Sequence, residues 1–331
     1  MKDNIHAIAL FSGGLDSMIA IKLMVDQGIK VTAININIGF GSKTDVDEIM
    51  KERAKIAGAD FKVVDMRDEY LKKVLFNPKY GYGKHFNPCI DCHGFMFRVA
   101  KEYLEELDAS FMVTGEVLGQ RPMSQRAEAM SIVKKLALDD EDLIVRPLCA
   151  KNMDITKPER EGWIDREKLL DIHGRGREVQ LQLAASYGWE NFQSPGGGCL
   201  LTDENFTKKI KEFLQHNSLH VEDIDILKNG RHLRLPHGAK LVIGRDKEEN
   251  ILLEKSLNDK YIKIKADKIP GPFSILSANA SNEDKELSAK IVLTFAKTKA
   301  DKTYTVFLDK KTLKAQPFPK REDAHKYFVV K

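Results

Sequence analysis

The sequence lacks long hydrophobic runs and contains few cysteines. No apolar stretch approaches the ~20 residues that a membrane-spanning helix requires, so we expect no membrane partner. The first apolar segment is too short for a secretory signal, which predicts a cytoplasmic location. Four cysteines in such a chain are more typical of metal binding or redox chemistry than of a disulfide framework. The 331 residues, 42% hydrophobic and 31% charged, are expected to form about two or three globular domains.

Two common nucleotide-binding motifs are also missing from the first turn of the chain, residues 12–17. This turn has neither the Gly-Lys-Ser/Thr of a P-loop nor the Gly-x-Gly-x-x-Gly of a dinucleotide site. An apolar run, residues 5–11, precedes the turn, and apolar residues at helical spacing follow it. Glycines and a helix N-terminus let backbone N–H groups approach an anion. We therefore predict a phosphate-binding turn, with an ordinary Gly-Gly turn as the alternative.

The turn resembles the SGGxDS signature of the PP-loop ATP pyrophosphatases. Ser12, Gly13, Gly14, Asp16 and Ser17 match it residue for residue. The resemblance implies that these residues bind ATP, which the family cleaves to AMP and pyrophosphate. Asp16 is then expected to orient Mg²⁺, since this ion binds through carboxylate and phosphate oxygens.

Further strands are predicted at residues 30–38, 61–65 and 110–113, with amphipathic helices between them. This alternation predicts an α/β fold with a doubly wound, mostly parallel sheet, followed by a smaller C-terminal β-rich α+β domain. The expected boundaries are 1–170 for the ATP-binding domain, 171–204 for a return segment that carries Cys199 and 205–331 for the C-terminal domain.

Polar residues follow the strand at 110–113. Ligands in parallel sheets lie beyond the carboxyl ends of the strands, so this segment is expected to share a crevice with the glycine turn. By resemblance to the PP-loop tRNA thiolases, Thr114 and Gly115 lie beside the nucleotide. An exposed polar loop is the alternative. The candidates for holding phosphate or the RNA backbone are Gln120, Arg121, Ser124 and Gln125.

Three cysteines are candidates for the reactive centre. Cys89 and Cys92 form a Cys-x-x-Cys, and Cys199 follows three glycines that are expected to leave its thiol exposed. A structural zinc is one alternative, with His85 and His93 as further ligands. The fourth cysteine, Cys149, has apolar neighbours and is predicted to be a buried core thiol.

The segment Asn-Pro-Cys-x-x-Cys at 87–92 resembles the NPCxxC motif of tRNA-specific 2-thiouridylases. A distant third cysteine is shared with the 2-thiouridine and 4-thiouridine synthetases, although Cys199 has different neighbours. The resemblance, over roughly residues 1–205, implies a tRNA sulfurtransferase that makes 4-thiouridine or 2-thiouridine. Cys89, Cys92 and Cys199 would ligate a 4Fe-4S cluster, or Cys199 would carry a persulfide that Cys89 or Cys92 resolves. Sulfide or a cysteine desulfurase would be the sulfur donor.

Basic residues are concentrated in the last part of the chain. Residues 201–331 contain 26 Lys and Arg against 19 Asp and Glu, whereas residues 1–200 contain 27 against 30. This asymmetry favours contact with a polyanion, and a solvated lysine-rich face is the alternative. A helix is predicted at 205–215, and a β-rich unit follows. Its extended segments are predicted at 224–227, 230–245, 261–264, 289–296 and 303–308.

The sequence from 230 to 240, GRHLRLPHGAK, resembles the RNA-binding domain of the NFACT proteins. The resemblance covers roughly residues 205–331 and implies a domain that holds tRNA through its phosphates. Its alternative is a small β-rich domain whose charged edge faces solvent or a partner subunit. The residues expected to form one strongly basic edge are Arg231, Arg234, Lys240 and Arg245.

Two other functions remain open at this point. A PP-loop ligase of the amidotransferase type would also adenylate its substrate but would use an amine as the nucleophile, which gives the three cysteines no purpose. A non-catalytic RNA-binding protein would need no complete SGGLDS turn.

Overall fold

The chain folds into two compact units. A computed structural model describes residues 5–41, 47–192 and 198–330. Distances between Cα atoms divide the chain into Met1–Thr202 and Asp203–Lys331. Within the described ranges, no helix combines the length and the apolar character needed to cross a bilayer.

The first unit is built on a parallel sheet. Its described strands, in the spatial order β3-β2-β1-β4-β5, are β1 (His6–Leu10), β2 (Lys30–Asn37), β3 (Asp60–Asp65), β4 (Phe111–Thr114) and β5 (Ile144–Val145). The described helices are α1 (Leu15–Val25), α2 (Asp47–Ala57), α3 (Arg67–Tyr70), α4 (Cys89–Glu106), α5 (Ala127–Leu136), α6 (Lys157–Arg160) and α7 (Glu178–Ser186). A π-helical turn at Leu71–Leu75 and 3-10 turns at Ala150–Asn152, Arg166–Lys168 and Leu200–Thr202 complete the unit.

The strand order places the switch point of the sheet between β1 and β4. The chain winds outward from β1 through β2 to β3, then crosses to β4 on the other side. Leu10 pairs with Thr114 in the β1–β4 register, so the segments that follow these two strands begin side by side. A crevice at such a switch point is where doubly wound sheets bind their ligands. The predicted doubly wound fold is confirmed.

The second unit is an antiparallel sheet with helices. Its described strands, in the order β11-β10-β8-β9-β7-β6, are β6 (Arg231–Arg234), β7 (Lys240–Ile243), β8 (Tyr261–Ala266), β9 (Ser274–Ser277), β10 (Tyr304–Leu308) and β11 (Lys311–Ala315). The described helices are α8 (Glu204–Leu214), α9 (Val221–Lys228), α10 (Lys247–Lys255) and α11 (Asn282–Thr294), with a 3-10 segment at Arg321–Tyr327. Residues 289 and 291–293 of α11 join the buried core of the sheet.

Two of the five predicted extended segments are wrong, whereas the segment 230–245 is confirmed by β6 and β7. Residues 224–227 belong to α9 and residues 289–296 lie mostly in α11, whereas the predictions at 261–264 and 303–308 are confirmed by β8 and β10. A short apolar run has the same pattern in a buried helix and in a strand, so the flanking residues decide. Ser281 caps α11 by accepting a hydrogen bond from the N–H of Asp284 at 3.1 Å. The helix at the start of the unit is confirmed as α8.

Candidate active site

The glycine turn connects β1 to α1. Gly13 has φ +72°, a left-handed conformation that favours glycine, and a side chain there would collide with Met50. Gly14 precedes the first helical residue, and the hydroxyl of Ser17 donates to its carbonyl at 2.8 Å. Ser12 Oγ lies 3.4 Å from Ser17 Oγ. The turn therefore presents two hydroxyls and the N-terminus of an eleven-residue helix, the groups that bind phosphate oxygens.

Gly115 allows the end of β4 to approach this turn closely. A Cβ atom on Gly115 would lie 2.5 Å from the backbone carbon of Asp16 and 2.5 Å from the backbone nitrogen of Ser17. Real Cβ atoms do not approach backbone atoms so closely, because carbon contacts have their optimum near ~3.5 Å. Glycine at 115 is therefore required by the contact with α1. Thr114, beside it, is buried.

Asp16 is held by donors from two other segments. Gln120 Nε2 donates to Asp16 Oδ2 at 2.7 Å, and Arg177 Nη2 donates to the same oxygen at 3.1 Å. Gln180 in turn donates to Gln120 Oε1 at 3.2 Å. The other carboxylate oxygen, Asp16 Oδ1, is buried and has no hydrogen-bond partner among the described residues. Asp16 thus keeps one oxygen available for a cation or another donor.

Arg53 of α2 contacts the glycine turn, and the sequence analysis did not predict this contact. It is buried, its Nη1 donates to the carbonyl of Gly13 at 3.3 Å, and its Nη2 reaches Asn191 Oδ1 at 3.4 Å. Its Nε has no partner in the described part of the chain. The sequence feature that could have indicated this contact is the position of Arg53 on the buried face of α2, together with Met50 and Ala57. An arginine on the apolar face of a helix must be satisfied by something buried, here the glycine turn.

The three cysteines lie at the start of α4 and beside the segment that follows β2. Cys89 and Cys92 occupy the first turn of α4. Cys199 forms a bridge with Gly41, just beyond β2, and the next residue, Leu200, donates its N–H to the carbonyl of Phe40 at 2.9 Å. Residues 193–197, which include two of the three glycines before Cys199, lie outside the described residues, and Cys199 itself is half-buried.

The ionisation of Cys92 is coupled to that of Cys89 and Cys199. Burial raises the pKa of the Cys92 thiol far above its usual value, and negative charge on Cys199 and Cys89 raises it further. Burial also raises the pKa of Tyr70, whose hydroxyl lies against Cys92, and the charges of all three cysteines add to this rise. The Tyr70 hydroxyl completes no hydrogen bond of standard geometry with the described residues. The raised pKa keeps the Cys92 thiol protonated, and a bound cation would favour its thiolate form.

The segment 115–126 connects the glycine turn with the cysteines. At one end Gln120 bonds to Asp16, as described above. At the other end, burial raises the pKa of Cys89, while a hydrogen bond from Asn87 and the positive charge of Arg121 oppose that rise. Asn87 Nδ2 lies 3.1 Å from Cys89 Sγ and 3.6 Å from the sulfur of Met123. One short segment therefore contacts both parts of the candidate site.

A buried ion pair at Glu116 connects the segment 115–126 with α4 and with the residue that follows β5. Arg146 Nε donates to Glu116 Oε2 at 2.9 Å, and His93 Nδ1 lies 2.7 Å from Glu116 Oε1. Burial alone would raise the pKa of Glu116, but Arg146 and His93 together lower it below its usual value. The ring of His93 is thus engaged with Glu116. The described residues contain no group of three or more His, Cys, Asp or Glu side chains placed to hold one metal ion, and this applies to Cys89, Cys92 and Cys199 as well as to the zinc alternative.

The remaining polar candidates of the 115–126 segment differ in exposure. Arg121 is exposed, as a phosphate-binding residue should be. Ser124 and Gln125 are buried, and their assignment to phosphate or the RNA backbone stays a prediction. Cys149 is buried as predicted, and its thiol lies 3.4 Å from the carbonyl oxygen of Glu116.

The predicted basic edge of the second unit is also corrected. Lys240 is 1% exposed and forms an ion pair with Glu212, to which Arg234 Nε also donates at 2.5 Å. Burial lowers the pKa of Lys240 to about 8. These two cations are neutralised inside the unit, because a buried charge must be paired. Arg231 and Arg245 instead line a cavity.

Comparison with known proteins agrees with this geometry. The model of the family described as thiamine biosynthesis protein (ThiI) matches residues 4–158. The model described as NFACT protein RNA binding domain matches residues 230–328. Both resemblances inferred from the sequence are thereby confirmed.

Relatives and a solved structure cover parts of the chain. A probable tRNA sulfurtransferase of Thermococcus kodakarensis is 32% identical over half of this chain and 39% of its own length. A tRNA-specific 2-thiouridylase MnmA of Acidithiobacillus ferrooxidans is 31% identical over 35% of this chain and 34% of its own length. The chain thus spans well under half of each relative. A crystal structure of a 4-thiouridine synthetase–RNA complex with bound ATP is 18% identical, with a TM-score of 0.40, over 67% of this chain and 52% of the other.

Proposed function

We propose that this protein is an ATP-dependent tRNA sulfurtransferase that makes thiouridine, either 4-thiouridine or 2-thiouridine, in the cytoplasm. The observation that carries the proposal is the segment 115–126, which contacts Asp16 of the glycine turn and the surroundings of Cys89. A site that activates a base with ATP and a site that delivers sulfur must act on the same carbon atom. If the glycine turn and the cysteines served separate functions, one segment would not need to contact both of them.

The glycine turn is assigned to ATP. Its backbone N–H groups and the hydroxyls of Ser12 and Ser17 would hold the departing pyrophosphate. Mg²⁺ would neutralise the phosphate charge, and Asp16 Oδ1, buried and without a described partner, is the oxygen left to bind it. Thr114 and Gly115 would line the nucleotide at the switch point of the sheet, with Arg121 and Gln120 beside the phosphates.

The reaction needs two displacements because the carbonyl oxygen of uracil is a poor leaving group. First, this oxygen attacks the α-phosphorus of ATP, and pyrophosphate leaves. A sulfur nucleophile then adds to the same ring carbon, AMP leaves with the original oxygen, and the proton of hydrogensulfide passes to solvent. The protein would act mainly by holding the two reactants close together in the correct orientation, which can supply a large part of the rate enhancement.

Cys89, Cys92 and Cys199 would hold a 4Fe-4S cluster. The donor set fits the chemistry of such a cluster, in which each thiolate binds a different iron, and the ionisation of Cys92 is coupled to that of Cys89 and Cys199. When bound, such a cluster supplies an open iron site for an inorganic sulfide. In the persulfide alternative, Cys199 carries the sulfur and a disulfide with Cys89 or Cys92 remains, which an external thiol must reduce.

The cluster is tested by reconstitution with iron and sulfide under anaerobic conditions. Broad visible absorbance and bound iron are expected in the wild type and in Cys149→Ala, which changes a buried cysteine outside the site. Both signals should be lost in Cys89→Ala, Cys92→Ala and Cys199→Ala. A colourless, iron-free protein that forms thiouridine at the full rate would refute the cluster and leave the persulfide route.

The domain assignment and the RNA partner complete the proposal. Residues 1–170 would bind ATP, residues 171–204 would carry Cys199 to the site, and residues 205–331 would hold the tRNA. The match of residues 230–328 to an RNA-binding domain supports the last assignment. Pyrophosphate release from ATP should depend on tRNA, and mass spectrometry of the tRNA nucleosides should detect a thiouridine. An aminated base would favour the ligase, and no pyrophosphate release would favour a non-catalytic RNA-binding protein.

A further inference from the structure

The second unit contains a basic cavity that the sulfur chemistry does not use. Its volume is about 390 Å³. Three turns form its walls: residues 244–247 between β7 and α10, residues 270–272 between β8 and β9, and residues 295–297 after α11. Arg231 from β6 and Arg321 from the C-terminal 3-10 segment complete it.

The cavity carries an excess of positive charge. Arg231, Arg245, Lys247, Lys297 and Arg321 line it, with Asp246 as the acidic residue among the lining side chains. Asp246 is engaged as the N-cap of α10, where it accepts the N–H of Glu249.

The guanidinium groups within the cavity repel one another. Burial lowers the pKa of Arg231, and the charges of Arg245 and Arg321 lower it further, although Glu249 and Asp246 oppose this. Arg245 is held by Glu249, with Nη2 2.5 Å from Oε1. Clustered cations cost free energy unless an anion is bound, and an arginine fork suits phosphate oxygens.

An aromatic ring and two prolines form the apolar part of the cavity. The guanidinium carbon of Arg231 lies 5.4 Å from the ring centroid of Phe295, and that of Arg321 lies 5.8 Å from it. The ring thus holds two guanidiniums in place by cation–π contact. Pro270 and Pro272 provide apolar surface beside these donors. Phosphate-binding groups beside an apolar wall are the two elements that a nucleotide requires, the wall packing against the base.

We propose that this cavity binds one unpaired nucleotide of RNA through its phosphate group. The inference rests on the proposed function, because RNA is the polyanion which that function requires. The concave shape excludes a duplex from the interior, whereas a single nucleotide fits within a cavity of this size. Arg321 and Lys297, both exposed, would complete the phosphate contact at the rim.

The test uses the full chain and a short single-stranded oligoribonucleotide, with binding followed by fluorescence anisotropy. In the double variant Arg321→Gln/Lys297→Gln, affinity should fall on the order of tenfold or more, since charge-assisted hydrogen bonds contribute strongly. The matched control Lys299→Gln/Lys302→Gln removes two nearby exposed charges outside the cavity. The double variant should also show a salt dependence that is less steep by about one phosphate contact.

The outcomes separate the cavity from the proposed function. Equal affinities in the cavity variant and in the control would overturn the inference even if the wild type binds RNA and forms thiouridine. A wild type that binds no RNA would contradict the proposed function. In that case the binding of uridine monophosphate is measured. Binding that requires Arg321 and Lys297 identifies a free nucleotide as the ligand of the cavity. If uridine monophosphate does not bind, the inference that the cavity binds a nucleotide is overturned as well.

Discussion

The close backbone contact at Gly115 predicts that Gly115→Ala will leave the protein folded but slow the cleavage of ATP. The added Cβ would lie 2.5 Å from the Asp16 carbon and the Ser17 nitrogen. Ordinary contacts are near ~3.5 Å, so α1 and β4 must separate by about 1 Å. The strain should lower the free energy of unfolding by about 1–3 kcal/mol, as overpacking does elsewhere.

The effect on activity should exceed the effect on stability. A shift of about 1 Å moves Ser17 and Asp16 away from the phosphates, and misplacement of this size costs on the order of 100-fold in rate. The assay is pyrophosphate release from ATP in the presence of tRNA, measured beside the melting temperature. We expect a folded protein with a rate reduced by about two orders of magnitude.

Gly28→Ala is the matched control, because Gly28 lies beyond the opposite end of α1. It has φ +80° and nothing within 4 Å of an added Cβ, so alanine should cost about 1–2 kcal/mol through backbone strain alone. Its rate of pyrophosphate release should stay near that of the wild type. If Gly115→Ala is as active as Gly28→Ala at comparable stability, the close approach does not position the ATP-binding turn.

Two further predictions concern buried ion pairs. Glu116→Gln leaves the charge of Arg146 buried without its partner, so it should lower the free energy of unfolding by about 3–5 kcal/mol, measured by denaturation. The control Glu128→Gln changes an exposed carboxylate and should alter this free energy little. Because the pKa of Glu116 is lowered in the folded state, the loss should shrink as pH falls through that pKa. Lys240 has a folded pKa of about 8 against 10.5 unfolded, so the unfolded chain binds more protons between these values and stability rises with pH. Relative to Lys240→Met, the wild type should gain about 2 kcal/mol between about pH 8 and pH 9.5, and Lys290→Met should leave this gain unchanged.

The glycine turn and the end of β4 could be located from the sequence because their signals are local. An apolar strand, a glycine turn and a helical period lie within residues 5–25, and the rule for parallel sheets then brings Thr114 to the same crevice. By contrast, residues 289–296 are mostly apolar, and their two polar residues, Lys290 and Thr294, have a spacing of four that fits a helix and a strand alike. The cap at Ser281 distinguishes them, and it lies eight residues upstream.

Buried charges were the least predictable feature, because their partners are distant in sequence. Lys240 pairs with Glu212, and Arg53 with the carbonyl of Gly13, 40 positions away. In the sequence Lys240 cannot be distinguished from Arg231, since both are basic residues at strand positions. Only the packing of α8 supplies the carboxylate that neutralises one of them, so a count of basic residues overestimates the surface available to RNA.

The location of Cys199 follows from backbone pairing, and this explains why its neighbours differ from those in the resembling enzymes. Cys199 bridges Gly41, and Leu200 donates its N–H to Phe40. Main-chain hydrogen bonds need no particular side chain, so the residues around Cys199 can vary while its backbone stays paired with the segment that follows β2. The backbone pairing thus fixes the position of Cys199 near the end of β2, and the identity of the residues beside it in the sequence does not.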